Sequence, residues 1–161
     1  MTFIAFVIYF TIANLFSGGK FKGILRQHNG PLPGRGIYYA GALTMLLGWL
    51  LYSLPGLLVG FSFLLWRLPG WYGAIDAGLD KHSRLRDFLV MSARGLVAAP
   101  VFAYIFYTGG GDWKVPAILF AASLGQGLAY DVAGHTFMRN FWIAEGLSGA
   151  IWGIAYWLLI N

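Results

Sequence analysis

Long uncharged apolar stretches constrain this chain more than any other feature. From Ile37 to Trp66 the sequence contains no Asp, Glu, Lys or Arg, and three further stretches are equally bare: Thr2–Phe16, Val115–Tyr130 and Leu147–Ile160. A soluble domain of 161 residues has no interior large enough to bury such runs, whereas a helix in lipid satisfies its backbone hydrogen bonds internally. The pattern therefore predicts a chain built for a bilayer, and it indicates no particular chemistry.

The composition supports a single transmembrane domain over residues 1–161. Hydrophobic residues make up 58% of the chain and charged residues 11%, against about a quarter charged in ordinary soluble domains. At about 20 residues per crossing, the length accommodates at most about six helices. The chain has no cysteine, which excludes disulfides, thiolate nucleophiles and cysteine metal sites.

The apolar stretches and the breakers between them predict an all-α fold, a polytopic transmembrane helical bundle with about six crossings. The predicted spans are Thr2–Phe16, Gly36–Ser53, Gly56–Leu68, Phe88–Tyr107, Val115–Ala133 and Phe141–Ile160. A further interfacial helix is expected within Tyr72–Asp87, where charged residues cluster. The first stretch has no basic residue before it, so we interpret it as a retained helix and not as a signal peptide.

The apolar block Gly36–Trp66 is too long for one crossing, at about 46 Å of helix against a hydrocarbon core of about 30 Å. Pro55 and Gly56 lie inside it. Proline removes a backbone donor, and glycine permits the chain to reverse. Two interpretations compete: a single kinked helix, and a tight helical hairpin that turns at Pro55-Gly56. The second arm of such a hairpin is short, so it either crosses fully or is re-entrant.

The basic residues favour the hairpin and set the orientation. Those that flank the block are, before it, Lys20, Lys22, Arg26 and Arg35 and, after it, Arg67, Lys81, Arg84 and Arg86. Loops rich in Lys and Arg stay cytoplasmic, so the block between them must cross an even number of times. The sequence therefore predicts a protein of the inner (plasma) membrane with both termini outside. Topology and anionic headgroups also explain the net charge of +5, so we expect no nucleic-acid partner.

Small residues recur four apart on the predicted helices. The pairs are Gly56 with Gly60, Ala121 with Gly125, Ser123 with Gly127 and Gly149 with Gly153. Faces of this kind let helix backbones approach closely. They serve either association with a second copy or another membrane protein, or packing within one six-helix bundle. We favour packing within the bundle.

A few polar groups at the depth of the predicted spans are the candidate functional residues. They are Arg94, Gln126, Asp131, His135 and Glu145. Asp131 and His135 share a face if their helix continues, and such a pair could share a proton near neutral pH. Arg94 is expected to pair with Asp131 or Glu145, because opposite charges lower each other's burial cost. The cluster is either a cytoplasm-facing site (a proton relay, an ion step or a small catalytic pocket) or a structural salt bridge.

No catalytic or metal motif accompanies these residues in the sequence. The H-E-x-x-H, G-x-S-x-G and P-loop patterns are absent, and His28 and His82 have no ligand partners at useful spacing. We therefore assign no catalytic residue, no cofactor and no metal ligand, and the sequence leans against an enzyme.

Three short segments resemble a family of membrane proteins. Ser92–Leu96, Ala129–Asp131 and Ala144–Ala150 are similar to small polytopic proteins found among tailed-phage genes, in which a Gly-Glu or Ala-Glu pair precedes a small-residue last helix. The resemblance is concentrated in the carboxyl-terminal third of the chain, and the family is largely uncharacterised. It implies a role in the host inner membrane, such as exclusion of other phages or help with lysis.

The sequence thus predicts an integral inner-membrane protein that acts through helix packing and protein interaction. Its expected partners are the lipid bilayer and a second copy or another membrane protein. Two alternatives stay open: a small transporter or proton-coupled channel, and a membrane enzyme with a cytoplasm-facing polar site.

Overall fold

The computed structural model describes residues 2–17, 36–65, 84–133 and 141–161, and this part of the chain is helical without a β-strand. The helices, in chain order, are α1 (Phe3–Ser17), α2 (Gly36–Leu65), α3 (Arg84–Gly95), α4 (Ala99–Thr108), α5 (Lys114–Asp131) and α6 (Phe141–Ile160). A short 3-10 turn, Leu96–Ala98, joins α3 to α4. The predicted all-α class is therefore confirmed for the described residues.

The predicted spans agree with the observed helices to within a few residues at most ends. The last helix has the predicted bounds, whereas α3 begins at Arg84, four residues before the predicted start at Phe88. Residues 66–68 of the predicted second hairpin arm and residues 72–83 of the predicted interfacial helix lie outside the described residues.

Helix α2 consists of two antiparallel arms, residues 36–52 and 54–65. Between them Ser53 has φ 56° and ψ −137°, a conformation that breaks the helix. A Cβ atom at Gly41 would lie 2.8 Å from Cδ2 of Leu64, and one at Gly48 would overlap the backbone of Gly56. In one continuous helix residues 41 and 64 would be about 35 Å apart, so these contacts require the chain to fold back. The kinked-helix alternative is wrong, and the reversal falls at Ser53, just before Pro55.

The most extensively packed helix pair, α1 and α6, runs antiparallel. Phe3 at the start of α1 stacks edge-on against Trp157 near the end of α6, with ring centroids 5.2 Å apart. At the other end of the pair, Asn14 is hydrogen-bonded to Glu145. Residue numbers therefore rise along α1 as they fall along α6.

The pair α3 and α5 has the same antiparallel arrangement. Arg84 in the first turn of α3 binds Asp131 at the end of α5. Further along, a Cβ atom at Gly95 would lie 2.7 Å from Oγ of Ser123, so the two helices are in close contact there. The first arm of α2 likewise opposes α1, with Thr44 hydrogen-bonded to Tyr9.

This alternation defines two ends of the bundle. At the basic end, α1, the second arm of α2 and α5 finish, and α2, α3 and α6 begin. The helix ends that flank residues 18–35, 66–83 and 134–140 in the chain therefore all lie at this end. Those segments contain seven of the eleven Lys and Arg residues, and Arg84 and Arg86 in the first turn of α3 raise the number to nine. The opposite end carries Ser53 and Lys114.

The small-residue faces are used inside the chain. A Cβ atom at Gly149 would lie 2.6 Å from the carbonyl oxygen of Phe10, and one at Gly153 would lie 2.9 Å from Cα of Val7. A Cβ atom at Gly127 would likewise lie 2.8 Å from the carbonyl oxygen of Phe88 in α3. Close approach of this kind is what small residues permit in membrane bundles, and it confirms the packing interpretation for these positions.

Three described stretches are long and apolar enough to cross a membrane: Tyr38–Ser62, Phe88–Thr108 and Ile143–Ile160. Phe3–Leu15 is apolar but shorter. The first of the three includes the reversal at Ser53, so its length is divided between two arms. The fold therefore supports a membrane protein by the length and composition of its helices.

Candidate functional site

A buried carboxylate lies where α1 meets α6. Glu145, in the second turn of α6, is 7% exposed, and Asn14, in the last turn of α1, is 2% exposed. The Asn14 Nδ2 group donates to Glu145 Oε2 at 3.0 Å and to the Glu145 carbonyl oxygen at 2.8 Å. Both bonds depend on Gly149 one turn further along α6, because a side chain there would push α1 away. Asn14 thus supplies a polar partner for a carboxylate at membrane depth, where an unpartnered one is costly.

A second polar pair lies between α5 and α6. Gln126 is fully buried, and its Oε1 accepts a hydrogen bond from Nε1 of Trp152. Its Nε2 has no hydrogen-bond partner among the described residues, and neither has the buried Oγ of Ser148. Buried donors are almost always paired, since each unmade bond costs about 1–3 kcal/mol. The buried interior therefore contains two polar groups, one on α5 and one on α6, whose partners are not found among the described residues.

A third pair links the second arm of α2 to α6. Ser62 Oγ lies 2.9 Å from the hydroxyl of Tyr156 and 2.6 Å from the carbonyl oxygen of Val59. Both side chains are at least nine-tenths buried. Since the short arm of α2 offers few other polar contacts to the bundle, this pair helps to fix its position.

The ion pair at the basic end is of a different kind. Arg84 donates through Nε to Asp131 Oδ1 at 2.8 Å and through its second guanidinium nitrogen to Oδ2 at 2.9 Å. The side chain of Arg84 is 59% exposed and that of Asp131 is 22% exposed. The hydrogen bond to Asp131, and then the charge attraction, raises the pKa of Arg84. Exposed pairs of this type contribute little to stability because solvent and salt screen them, so this one orients the ends of α3 and α5 more than it stabilises them.

The structure gives the sequence-predicted residues distinct partners. Gln126 binds α6, Asp131 binds α3 and Glu145 binds α1. The side chain of Arg94 and the whole of His135 lie outside the described residues, so the Arg94 pairing and the Asp131–His135 proton pair stay predictions.

Two functional partners were missed by sequence reasoning. Asn14 is the only amide side chain in the first apolar stretch, which is the signal that could have found it. Arg84 was assigned to a basic cytoplasmic segment that contains a predicted interfacial helix, and no pairing with Asp131 was predicted. Neither pairing follows from local sequence, because each joins residues far apart in the chain.

Within the part of the chain that the structure describes, no group of three His, Asp or Glu side chains lies close enough to hold a metal ion. No family model matches the chain, and comparisons with curated proteins and with solved structures give no match.

Proposed function

We propose that the chain is a multi-pass protein of the inner membrane that crosses six times, with its basic end in the cytoplasm and both termini outside. The antiparallel order of the described helices supports this, because the helix ends that flank all three basic segments of the sequence lie at one end of the bundle. Segments rich in Lys and Arg are retained on the cytoplasmic side during insertion.

Both arms of α2 are short crossings in this proposal. The described part of the second arm, residues 54–65, spans about 18 Å of helix and that of the first, residues 36–52, about 26 Å. Both are shorter than a hydrocarbon core of about 30 Å. A local thinning of the bilayer around the hairpin accommodates the difference, as hydrophobic mismatch requires. A re-entrant second arm is the alternative.

We propose further that the protein acts by interaction within the membrane and that the hairpin α2 is the contact element. The observation that carries this is burial. In the most apolar part of Tyr38–Ser62, 17% is buried inside the bundle, whereas the corresponding share is 35% in Phe88–Thr108 and 50% in Ile143–Ile160. Leu46 and Leu50 on the first arm are more than half exposed. The hairpin therefore offers more apolar surface to its surroundings than the other membrane-length helices do.

Contacts between the two arms of the hairpin stabilise it although other helices bury little of its surface. Its arms pack on each other where Gly48 meets Gly56. Between the hairpin and α1 there is an apolar hollow of about 120 Å³ that includes Phe6 and Leu47 in its lining. Van der Waals packing drives helix association in lipid, so the close contact between the arms stabilises the hairpin itself.

Site-specific photo-crosslinking in cells tests this role. A photoreactive residue at Leu46 or Leu50 is expected to give a discrete protein adduct, either with a second copy or with another membrane protein. Matched controls are Leu128 on α5 and Leu158 on α6, which are exposed to a similar degree and should give lipid adducts alone. Lipid adducts alone at all four positions would contradict the proposal, as would turnover of a lipid or phosphate substrate by the purified protein.

From the resemblance to tailed-phage membrane proteins, we propose that this interaction takes place in a host inner membrane and that its role is exclusion of other phages or help with lysis. Expression of the chain alone in a bacterial host should then lower the plating efficiency of unrelated phages or hasten lysis. Equal plating and equal lysis timing, with the protein present in the membrane, would contradict that role.

A second candidate function, proton-coupled transport, is favoured by the buried Glu145. An ionisable residue inside a membrane bundle is a functional-site hypothesis by default, because keeping it there is costly. Flux in proteoliposomes should vanish in Glu145→Gln. The matched control is Asp131→Asn at the basic end, which should retain flux. Unchanged flux in Glu145→Gln would eliminate this candidate.

A further inference from the structure

A hollow lies between α4 and α5 at the end of the bundle opposite the basic end. Its volume is about 260 Å³, near the lower end of the volumes of small-molecule sites. Its lining runs along α4 from Ala99 to Tyr107, a distance of about 12 Å along the helix. Toward the middle of the bundle this lining is apolar, with Ala103 on α4 and Leu119 on α5.

Aromatic side chains line the outer part of this hollow. The ring of Phe106 lies 5.5 Å from that of Tyr107 and 5.4 Å from that of Trp113, measured between centroids, and the ring planes meet at 78° and 61°. Tyr107 is 79% exposed and Trp113 is 77% exposed, so the hollow is open to the surroundings at this end. Because the face of an aromatic ring carries negative potential, rings inclined to each other in this way attract a cation.

Two exposed residues of opposite charge, Asp112 and Lys114, flank Trp113 in the chain. Among the residues that the structure describes, they carry the charged side chains at this end of the bundle. Asp112 Oδ1 accepts a hydrogen bond from the backbone N–H of Lys114 at 2.9 Å, so the carboxylate is held at the start of α5. A carboxylate and an ammonium beside an aromatic-lined hollow complement a ligand that itself carries both charges.

We propose that this hollow binds one zwitterionic phospholipid, with the headgroup ammonium against Tyr107 and Trp113 and the upper part of an acyl chain between α4 and α5. An ammonium is attracted to a ring face within about 6 Å of its centroid, and Trp and Tyr at helix ends lie at the level of the headgroups. The apolar inner lining matches an acyl chain, and Lys114 matches the phosphate. The proposal rests on the membrane setting proposed above and is independent of the contact role of the hairpin.

Native mass spectrometry of the full chain in a neutral detergent tests this site. The probes are phosphatidylethanolamine and phosphatidylglycerol with identical acyl chains, and the measurement is the ratio of their dissociation constants for the first bound lipid. We expect phosphatidylethanolamine to bind several-fold more tightly, because its headgroup carries the ammonium that the rings attract. Equal dissociation constants, or tighter binding of phosphatidylglycerol, would overturn the proposal and leave Tyr107 and Trp113 as unselective interfacial anchors.

Leucine variants locate the selectivity within the chain. Trp113→Leu keeps an apolar side chain but removes the ring, so the two lipids should then bind almost equally. The matched control is Trp49→Leu on α2, where the tryptophan is 52% exposed and lies outside the hollow, and this variant should retain the preference. If Trp113→Leu does not fold, Tyr107→Leu takes its place and should reduce the preference. A preference that persists unchanged in the folded ring variant would overturn the proposal.

Glycerophosphoethanolamine separates a lipid from a free ammonium compound. It carries the same headgroup without acyl chains, so it leaves the apolar inner part of the hollow empty. At the concentration at which phosphatidylethanolamine saturates the site, it should give no adduct, and binding of equal strength would overturn the assignment of a lipid. Crosslinking at Leu46 and Leu50 concerns a different helix, so failure of this proposal and failure of the proposed contact role are distinguishable.

Discussion

Replacing Gly149 by alanine should destabilise the packing of α1 against α6 far more than the same change at Gly146, one turn earlier. The added Cβ at Gly149 would lie 2.6 Å from the carbonyl oxygen of Phe10 and 2.7 Å from Cα of Thr11. At Gly146 the nearest atom would be a methyl carbon of Thr11 at 4.0 Å, an ordinary contact. Because the two variants add the same methyl group to the same helix, the difference between them is the space available around that group.

The magnitude follows from the geometry. Carbon atoms pack at about 3.5–4.0 Å, so α1 and α6 must separate by about 1 Å to admit the methyl group. The Asn14–Glu145 bond of 3.0 Å would then exceed hydrogen-bonding distance. Overpacking costs about 1–3 kcal/mol, and loss of a buried bond to a carboxylate costs about 1.5–3 kcal/mol. We expect Gly149→Ala to lower the free energy of unfolding by about 3–5 kcal/mol.

Reversible unfolding in mixed micelles, followed by tryptophan fluorescence, measures this difference. Gly146→Ala should be neutral or stabilising by up to about 1 kcal/mol, because alanine has the higher helix propensity. If the two variants have the same free energy of unfolding, α1 and α6 do not approach each other as closely as described. That result would also contradict the buried Asn14–Glu145 pair, which requires the close approach.

Three further predictions use the same unfolding assay. Ser53→Gly should stabilise the protein by about 1 kcal/mol or more, because a side chain at φ 56° is strained and glycine is not; a loss of stability would contradict the reversal at that residue. Trp152→Phe should cost about 1–3 kcal/mol by leaving Gln126 Oε1 unpaired, and adding Gln126→Leu should recover part of the loss; a strictly additive double variant would argue against the bond. Asp131→Asn should cost less than about 1 kcal/mol, and high salt should abolish the difference because Arg84 is exposed; a large, salt-independent loss would place this pair in the interior.

The helices themselves could be predicted from sequence because lipid imposes a simple rule. Apolar stretches between breakers predicted the last helix with its observed bounds, Phe141–Ile160, and the first to within a residue at each end. The start of α3 was missed because Arg84, Arg86 and Asp87 are charged, and charge was taken to mark a loop or interface. Helical structure continues through that charged turn.

The turn and the partners depended on tertiary contacts that local sequence does not contain. Proline was expected to mark the reversal, but Pro55 lies in the first turn of the second arm, where its missing N–H costs little, and the chain turns at Ser53. The Asn14–Glu145 pair joins residues 131 positions apart. Its existence depends on the register of α1 against α6, which Gly149 and Gly153 set by close approach.

Cysteine accessibility in intact cells tests the six-crossing arrangement most directly, because the chain has no cysteine of its own. Single cysteines at Ser53, Ser83 and Thr108 would be treated with a membrane-impermeant maleimide before and after permeabilisation. The arrangement predicts that Ser53→Cys and Thr108→Cys react in intact cells and that Ser83→Cys reacts only after permeabilisation. Labelling of Ser53→Cys on the same side as Ser83→Cys would contradict it.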